Sequence, residues 1–228
     1  VTVDDGADNP YDTAPAEMGV QIEADGGLTL HGDIQTNGGP GTTDGDVLLT
    51  ADVTLNTDIT IDTDLNGTDG DVTVTGSIAA TTANTEGLTI DAGTANVDLQ
   101  GDVGNSVTNP QFLDITSSGT VDLENVVVGE YIDVATAATL NLNQGLYEQT
   151  LTTDDTFDIS LSSTGDINLA VDTLIRTAGD ANNDVTITGD LNGNQILTIT
   201  AVAGDVDVDG TTGGTTPLAQ FLITDAAN

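Results

Sequence analysis

The chain of 228 residues has no cysteine, no tryptophan and no lysine, and its only arginine is Arg176. Without cysteine there is no disulfide framework and no thiol chemistry, although that does not fix the compartment. With a single arginine there is no basic patch, which excludes nucleic acid and anionic membrane surfaces as partners. No apolar run approaches the roughly 18–20 residues of a membrane-spanning helix, so no membrane insertion is expected. The scarcity of basic residues also leaves almost nothing for trypsin-like proteases, which suits an extracellular life. Aromatic residues make up 3% of the chain and hydrophobic residues 37%. Large side chains are too few for an ordinary compact core. Val, Ile and Leu are too regular for a disordered acidic tail, and they are residues that favour strands.

What is abundant is acid. There are 38 Asp and Glu residues and a formal charge of −37, a self-repulsion that salt or divalent cations relieve. A short motif also recurs: apolar-x-apolar-x-x-x-apolar, often with Gly fifth. It reads LTLHGDI (28–34), VLLTADV (47–53), VTVTGSI (72–78), VDLQGDV (97–103) and VDLENVV (121–127). It continues as LNLNQGL (140–146), INLAVDT (167–173), VTITGDL (185–191) and VDVDGTT (206–212). A second set of strands lies between: DITID (58–62), GLTID (87–91), FLDIT (112–116), YIDVA (131–135), FDISL (157–161), LTITA (197–201) and FLITD (221–225).

Alternation with period two gives strands with one buried face. The Gly, Asn, Asp, Ser and Thr between them are turn residues, and no sustained helical period occurs. Units this small cannot bury their own apolar face, so successive units must stack. The expected fold is all-β, a parallel β-solenoid (β-helix) of about nine rungs of roughly 22 residues with no significant helix. It covers residues 1–228 as one domain, with 4–19 an irregular loop or partial cap. A β-sandwich fits less well, because it does not require one motif to recur at near-constant spacing.

The two ends of the chain match the repeat. FLITDAAN joined to VTVDDG parallels the internal FLDITSSGTVDLEN (112–125). This suggests either continuation of a longer repeat chain, of which this is a processed or excised piece, or separate copies stacking head to tail into a homopolymer.

VDLQGDVGNSVTNPQFLDIT and VDVDGTTGGTTPLAQFLIT share an order of parts: strand, Gly, Gly-rich turn, Thr and Pro, then a Phe-Leu strand. The chain thereby resembles the β-strand repeats of very large bacterial surface proteins. These are similar to filamentous-haemagglutinin-type and autotransporter-type adhesins, whose passengers are right-handed parallel β-helices. The resemblance implies secretion, a cell-surface or matrix role and no catalysis. It carries over no functional residues.

The stretch IDTDLNGTDGD (61–71) spaces Asp62, Asp64, Asn66, Asp69 and Asp71 like the ligands of a calcium loop, with Gly67 at the sharp turn. The twelfth position, where a bidentate Glu belongs, is Thr73, and no helices flank the loop. Two readings stand: a corner calcium site, or an acidic turn punctuated by Asn-Gly and Asp-Gly, the latter favoured. Asp180, Asn182 and Asp184 repeat the theme more weakly beside Arg176. Asn66-Gly67-Thr68 is a glycosylation acceptor by pattern, of a kind common by chance in such a chain. In the expected register Thr73, Asp98, Asp122 and Asn141 form one outward row, with Asp98 over Asp122 a like-charge pair relieved by a cation or by screening. Phe112, Tyr131, Phe157 and Phe221 are expected to fill a core or corner stack, or else to form a platform for sugar rings.

No catalytic constellation stands out. His31 lacks a nucleophile partner, and with acids everywhere no one pair is marked for glycoside hydrolysis. The functional expectation is a non-enzymatic subunit or segment of a bacterial surface fibre, assembling by strand-edge stacking. The alternative is an adhesin whose loops, such as 4–19 or 104–111, bind a glycan or protein partner at the cell surface. A polysaccharide-active enzyme is a distant third.

Overall fold

A computed structural model describes residues 19–36, 45–64, 69–105, 107–125, 127–150, 158–179 and 183–226. Every strand pairing among them is parallel, and there is no helix among them. Each turn lays down three strands, and like strands of successive turns pair. The coil therefore has three faces, taken here in chain order as A, B and C.

Face A begins with Val20–Glu23 and Val47–Thr50 and continues through Val72–Val74, Val97–Leu99 and Thr120–Leu123. Face B begins with Leu28–Leu30, Val53–Leu55 and Ile78–Ala80. It continues as Val127–Gly129, Leu146–Gln149, Thr173–Thr177, Ile196–Ala201 and Gln220–Ile223. Face C runs through Ile34–Gln35, Ile59–Asp62, Leu88–Gly93 and Phe112–Ser117. In the later turns three long strands, Tyr131–Leu142, Ile159–Leu169 and Val185–Asn192, bend from face C onto face A. Their alternation slips at that corner, where Thr136 takes a φ of 64°. Val206–Asp209 closes face C.

The first inward row of face A is Val20, Val47, Val72, Val97, Val121, Leu140, Ile167 and Leu191, each in register with the next. All are buried. The row spans about seven turns of 19 to 27 residues, not nine of a near-constant length. Six of the nine motifs, from Val47 to Ile167, sit on face A as expected. The other three do not. LTLHGDI starts on face B, Leu28 pairing Val53. VTITGDL and VDVDGTT start on face C, Val185 pairing Ile159 and Val206 pairing Val185. The motif marks a corner rather than a rung: in most copies a short strand, three residues of bend, then the first inward residue of the next face, whereas the copies ending at Leu146 and Thr212 finish on a half-buried and an exposed residue. All three corners share that geometry, so the motif occurs at each. For the same reason LTITA and FLITD lie on face B, apart from the second-set strands of face C. FLITD is thus not the structural counterpart of FLDIT.

At each corner the ladder of backbone bonds loosens, and the N–H groups there need another acceptor. Asp or Asn one turn away provides it. Before face A, Asp46 accepts the N–H of Asp71 at 2.8 Å, Asp71 that of Asn96 at 2.8 Å, and Asn96 that of Thr120 at 2.8 Å. Before face C, Asp33 accepts from Thr60, Asp58 from Gly87, Asp158 from Asp184 and Asp184 from Asp205, at 2.7 to 3.0 Å. Before face B, Asp52 accepts from Ser77 and Asp172 from Ile196, each at 2.9 Å. A carboxylate suits this place because it only accepts, and its charge strengthens the bond.

Between faces A and B the turns touch backbone to backbone. A Cβ on Gly76 would lie 2.1 Å from the Ala51 carbonyl oxygen, and one on Gly101 would lie 2.2 Å from that of Gly76. Gly101→Val is therefore expected to cost about 2–3 kcal/mol, the scale of overpacking against fixed neighbours. Gly26→Val, where a Cβ meets nothing within 4 Å, should stay within about 0.5 kcal/mol of the parent. Urea melts at constant m-value read both, and equal losses at the two positions would contradict this packing.

Candidate functional site

Of the acidic stretch, residues 61–64 lead off face C and 69–71 lead onto face A. Ile59 and Ile61 point inward, which turns Thr60 and Asp62 outward. Asp62 stands in register between Gln35 and Asp91 of the adjoining turns. Its Oδ1 accepts the N–H of Asp64 at 3.0 Å, starting the bend. Asp69 reaches the next turn, where Oδ2 accepts the N–H of Thr94 at 2.6 Å and also its hydroxyl. Asp64 and Asp69 crowd together over Gly93, where a Cβ would lie 2.7 Å from Cγ of Asp69 and 2.9 Å from Cγ of Asp64.

The two acids therefore titrate apart. The hydrogen bond to Asp69 raises Asp64 above the usual carboxyl range, helped by burial and by the charges of Asp69, Asp91 and Asp62. The Thr94 hydroxyl and N–H hold Asp69 below that range. Of the two, Asp64 is the one whose surroundings favour the neutral form. Oδ1 of Asp69 is buried with no hydrogen-bond partner among the described residues.

Of the five residues expected to act together, Asp62, Asp64 and Asp69 gather here. Asp71 instead serves the next corner, accepting the N–H and side-chain amide of Asn96 at 2.8 and 3.1 Å. Asn66 and the acceptor Asn66-Gly67-Thr68 lie outside the described residues. So do Asp180, Asn182 and Phe157, and, apart from Gly19, the loop 4–19. Asp91 joins the cluster, although nothing near it in sequence marks it: only its register with Asp62 does. Among the described residues no group of three or more acidic or His side chains is disposed to hold a metal ion.

The outward row of face A is as expected: Thr73, Asp98, Asp122 and Asn141 are in register. Side-chain amides meet its charges. Asn141 donates to Asp122 at 2.6 Å, Asn168 to Asn141 at 2.9 Å, and Gln100 to Asp98 at 2.7 Å. Arg176 pairs with Glu148, its register partner, at 2.6 Å. Asp184 is a corner cap. His31 is exposed at the bend from face B to face C.

The aromatic residues do not form one stack. Phe112 and Tyr131 are register partners, half-buried on the outside of face C. Phe221 lies on face B, 37% exposed. Among the described residues the aromatic in the core is Tyr147, wholly buried, its hydroxyl donating to the Leu123 carbonyl at 3.3 Å. Beside the pair on face C, Asp114 stacks on Asp133, which also accepts the Tyr131 hydroxyl at 3.0 Å. Burial, then Asp133, then Asp91 push the Asp114 carboxyl up.

No family model matches this sequence, and neither the curated proteins nor the solved structures hold a significant match to it. The site is therefore judged on its own chemistry. It offers hydrogen-bond acceptors and a high density of negative charge.

The Asp114 shift fixes a pH dependence. A raised folded value stabilises the fold below the unfolded carboxyl value, and that contribution is lost as pH rises through the folded value. Asp69 works the other way: its contribution is present above the unfolded value and lost as pH falls through its lowered folded value. Asp114→Asn should thus raise the melting temperature at neutral pH, by on the order of 0.5 kcal/mol in stability, the scale of a cross-strand pair. The gain should vanish in acid. A variant that melts lower at neutral pH would contradict the assignment.

Proposed function

We propose that this chain is a non-catalytic structural rod, a segment or subunit of an extracellular bacterial surface fibre that extends by stacking turn on turn. The observation that carries this reading is the continuity of the ladders. Parallel ladders run along the described coil, that of face B reduced to single bridges at Val103, and end on strands with no further partner among the described residues, Val206–Asp209 and Gln220–Ile223. Phe221 and Ile223 are left 37% and 48% exposed there. An open strand edge of this kind pairs with another strand. The resemblance to surface-protein repeats and the acidic exterior, which keeps rods from clumping sideways, support the same reading.

Electron microscopy of the purified native protein should show long, unbranched filaments of one width. A polypeptide mass near 23.0 kDa would mark stacked copies, and a far larger mass one continuous coil. Ile223→Lys, which puts a charge on the open edge, should shorten the stacked form. Monodisperse single rods that never associate would contradict the proposal.

Calcium is a subordinate part of the reading: Asp62, Asp64 and Asp69 are not disposed as a metal site as they stand, and a cation would have to draw them together. Its signature is a melting temperature that falls on adding a chelator and recovers with calcium. No shift removes it.

A further inference from the structure

The inward positions of face B form one column from the first described turn to the last. Leu28 pairs with Val53, Val53 with Ile78, Ile78 with Val103 and Val103 with Val127. The column then runs through Tyr147, Ile175 and Ile199 to Ile223. Its interior members are buried, whereas Leu28 is half-buried and Ile223 is 48% exposed.

The strands at these two ends, Leu28–Leu30 and Gln220–Ile223, pair on one side only among the described residues. Their outer edges are complementary. In this ladder an inward residue turns its backbone groups to the following turn. The Leu28 N–H reaches the Asp52 carbonyl at 2.8 Å, and the Leu30 carbonyl accepts the Asn56 N–H at 3.0 Å. An outward residue turns its groups to the preceding turn, as the Thr224 N–H does to the Ile199 carbonyl at 2.8 Å. Ile223 therefore presents its N–H and C=O beyond the last turn, and Thr29 presents its own below the first.

Charge decides which face can join. The last strand of face C turns Asp207 and Asp209 outward, and the first strand of face A carries Glu23. Face B has no charged residue in either terminal strand, LTL at one end and QFLI at the other. Its outward row begins on Thr29 and Thr54, which are register partners, and ends on Thr200 and Thr224, whose hydroxyls meet at 2.8 Å.

We propose that the partner of the open end is a second copy of this chain, joined head to tail through face B, with Ile223 of one copy against Leu28 of the next. This rests on the reading of the chain as a rod that extends by stacking, and specifies its joint. Ile223 N–H donates to the Gly27 carbonyl of the next copy, and the Thr29 N–H of that copy donates to the Ile223 carbonyl. The apolar column and the threonine row then pass through the joint unbroken, and threonine pairs across strands are favourable. Val20 of the next copy comes to lie over Thr212, which bridges Leu191, so face A follows. Face C does not close. Chain order puts Ile34–Gln35 two strand spacings from Val206–Asp209, about 10 Å, which holds Asp207 and Asp209 away from the acids of the next copy.

The chain has no cysteine, so disulfides can map the joint. Thr29 and Thr224 are both exposed, and stacked counterparts about 4.8 Å apart are within disulfide reach. Thr29→Cys and Thr224→Cys, made separately in the full chain, mixed and mildly oxidised, should give a linked pair with one of each by non-reducing gel and mass spectrometry. Neither variant should link to itself. Leu222→Cys mixed with Thr29→Cys should not link, because diagonal neighbours lie roughly 7–8 Å apart, beyond what a disulfide spans. A second test needs no thiols. Thr29→Asp combined with Thr224→Asp should shorten the filaments, and Thr29→Lys combined with Thr224→Asp should restore them. Absence of the mixed pair would overturn the joint. So would a Thr224→Cys variant linked to itself, which marks a tail-to-tail contact, or an equal yield from Leu222→Cys. Filaments that form without the mixed pair overturn this joint and leave the rod standing, whereas native protein that never associates contradicts both.

Discussion

In a parallel coil each residue sits directly over its counterpart one turn away, about 4.8 Å distant. Whatever occupies a position must tolerate near-identical company above and below. On the inside this favours Val, Ile and Leu, which stack into continuous rows such as Val47, Val72, Val97 and Val121. At the corners it leaves N–H groups without a ladder partner and, between faces A and B, no room for a side chain. Gly answers the second problem and Asp or Asn the first. Much of the acid in this chain is thus structural. It terminates backbone ladders that would otherwise end on bare donors.

That solution creates its own strain, because acids stack on acids. The molecule offsets it locally. Asn141 and Asn168 extend the Asp122 row with amides. Asp64, beside Asp69, is pushed toward its neutral form. Asp114, beside Asp133, is pushed toward its neutral form. Each device is short-range and leaves the exterior strongly negative. The single arginine forms one exposed ion pair, worth at most about 1 kcal/mol.

The repeat, the parallel stacking and the register of Thr73, Asp98, Asp122 and Asn141 were legible because one pattern recurs at nearly equal intervals over turns that begin at Val47, Val72, Val97 and Val121. The three-faced cross-section was not. One seven-residue motif serves every corner, so Leu28, Val185 and Val206 look like members of a row they do not join. The Asp caps leave a readable trace: Asp directly before an inward strand residue, as in Asp46-Val47, Asp71-Val72 and Asp184-Val185. That trace was hidden by the abundance of Asp and by its likeness to a calcium loop. Asp91 in the acidic corner depends on the winding and has no local signature.

The proposal that this coil extends at its ends rests on backbone hydrogen bonding along its axis. X-ray fibre diffraction from aligned material tests that most directly. Stacked turns predict a sharp meridional reflection near 4.8 Å, from filaments in which the strands lie across the axis and the ladders continue through every junction. Strands running along the filament, with that spacing found only on the equator, would contradict the account.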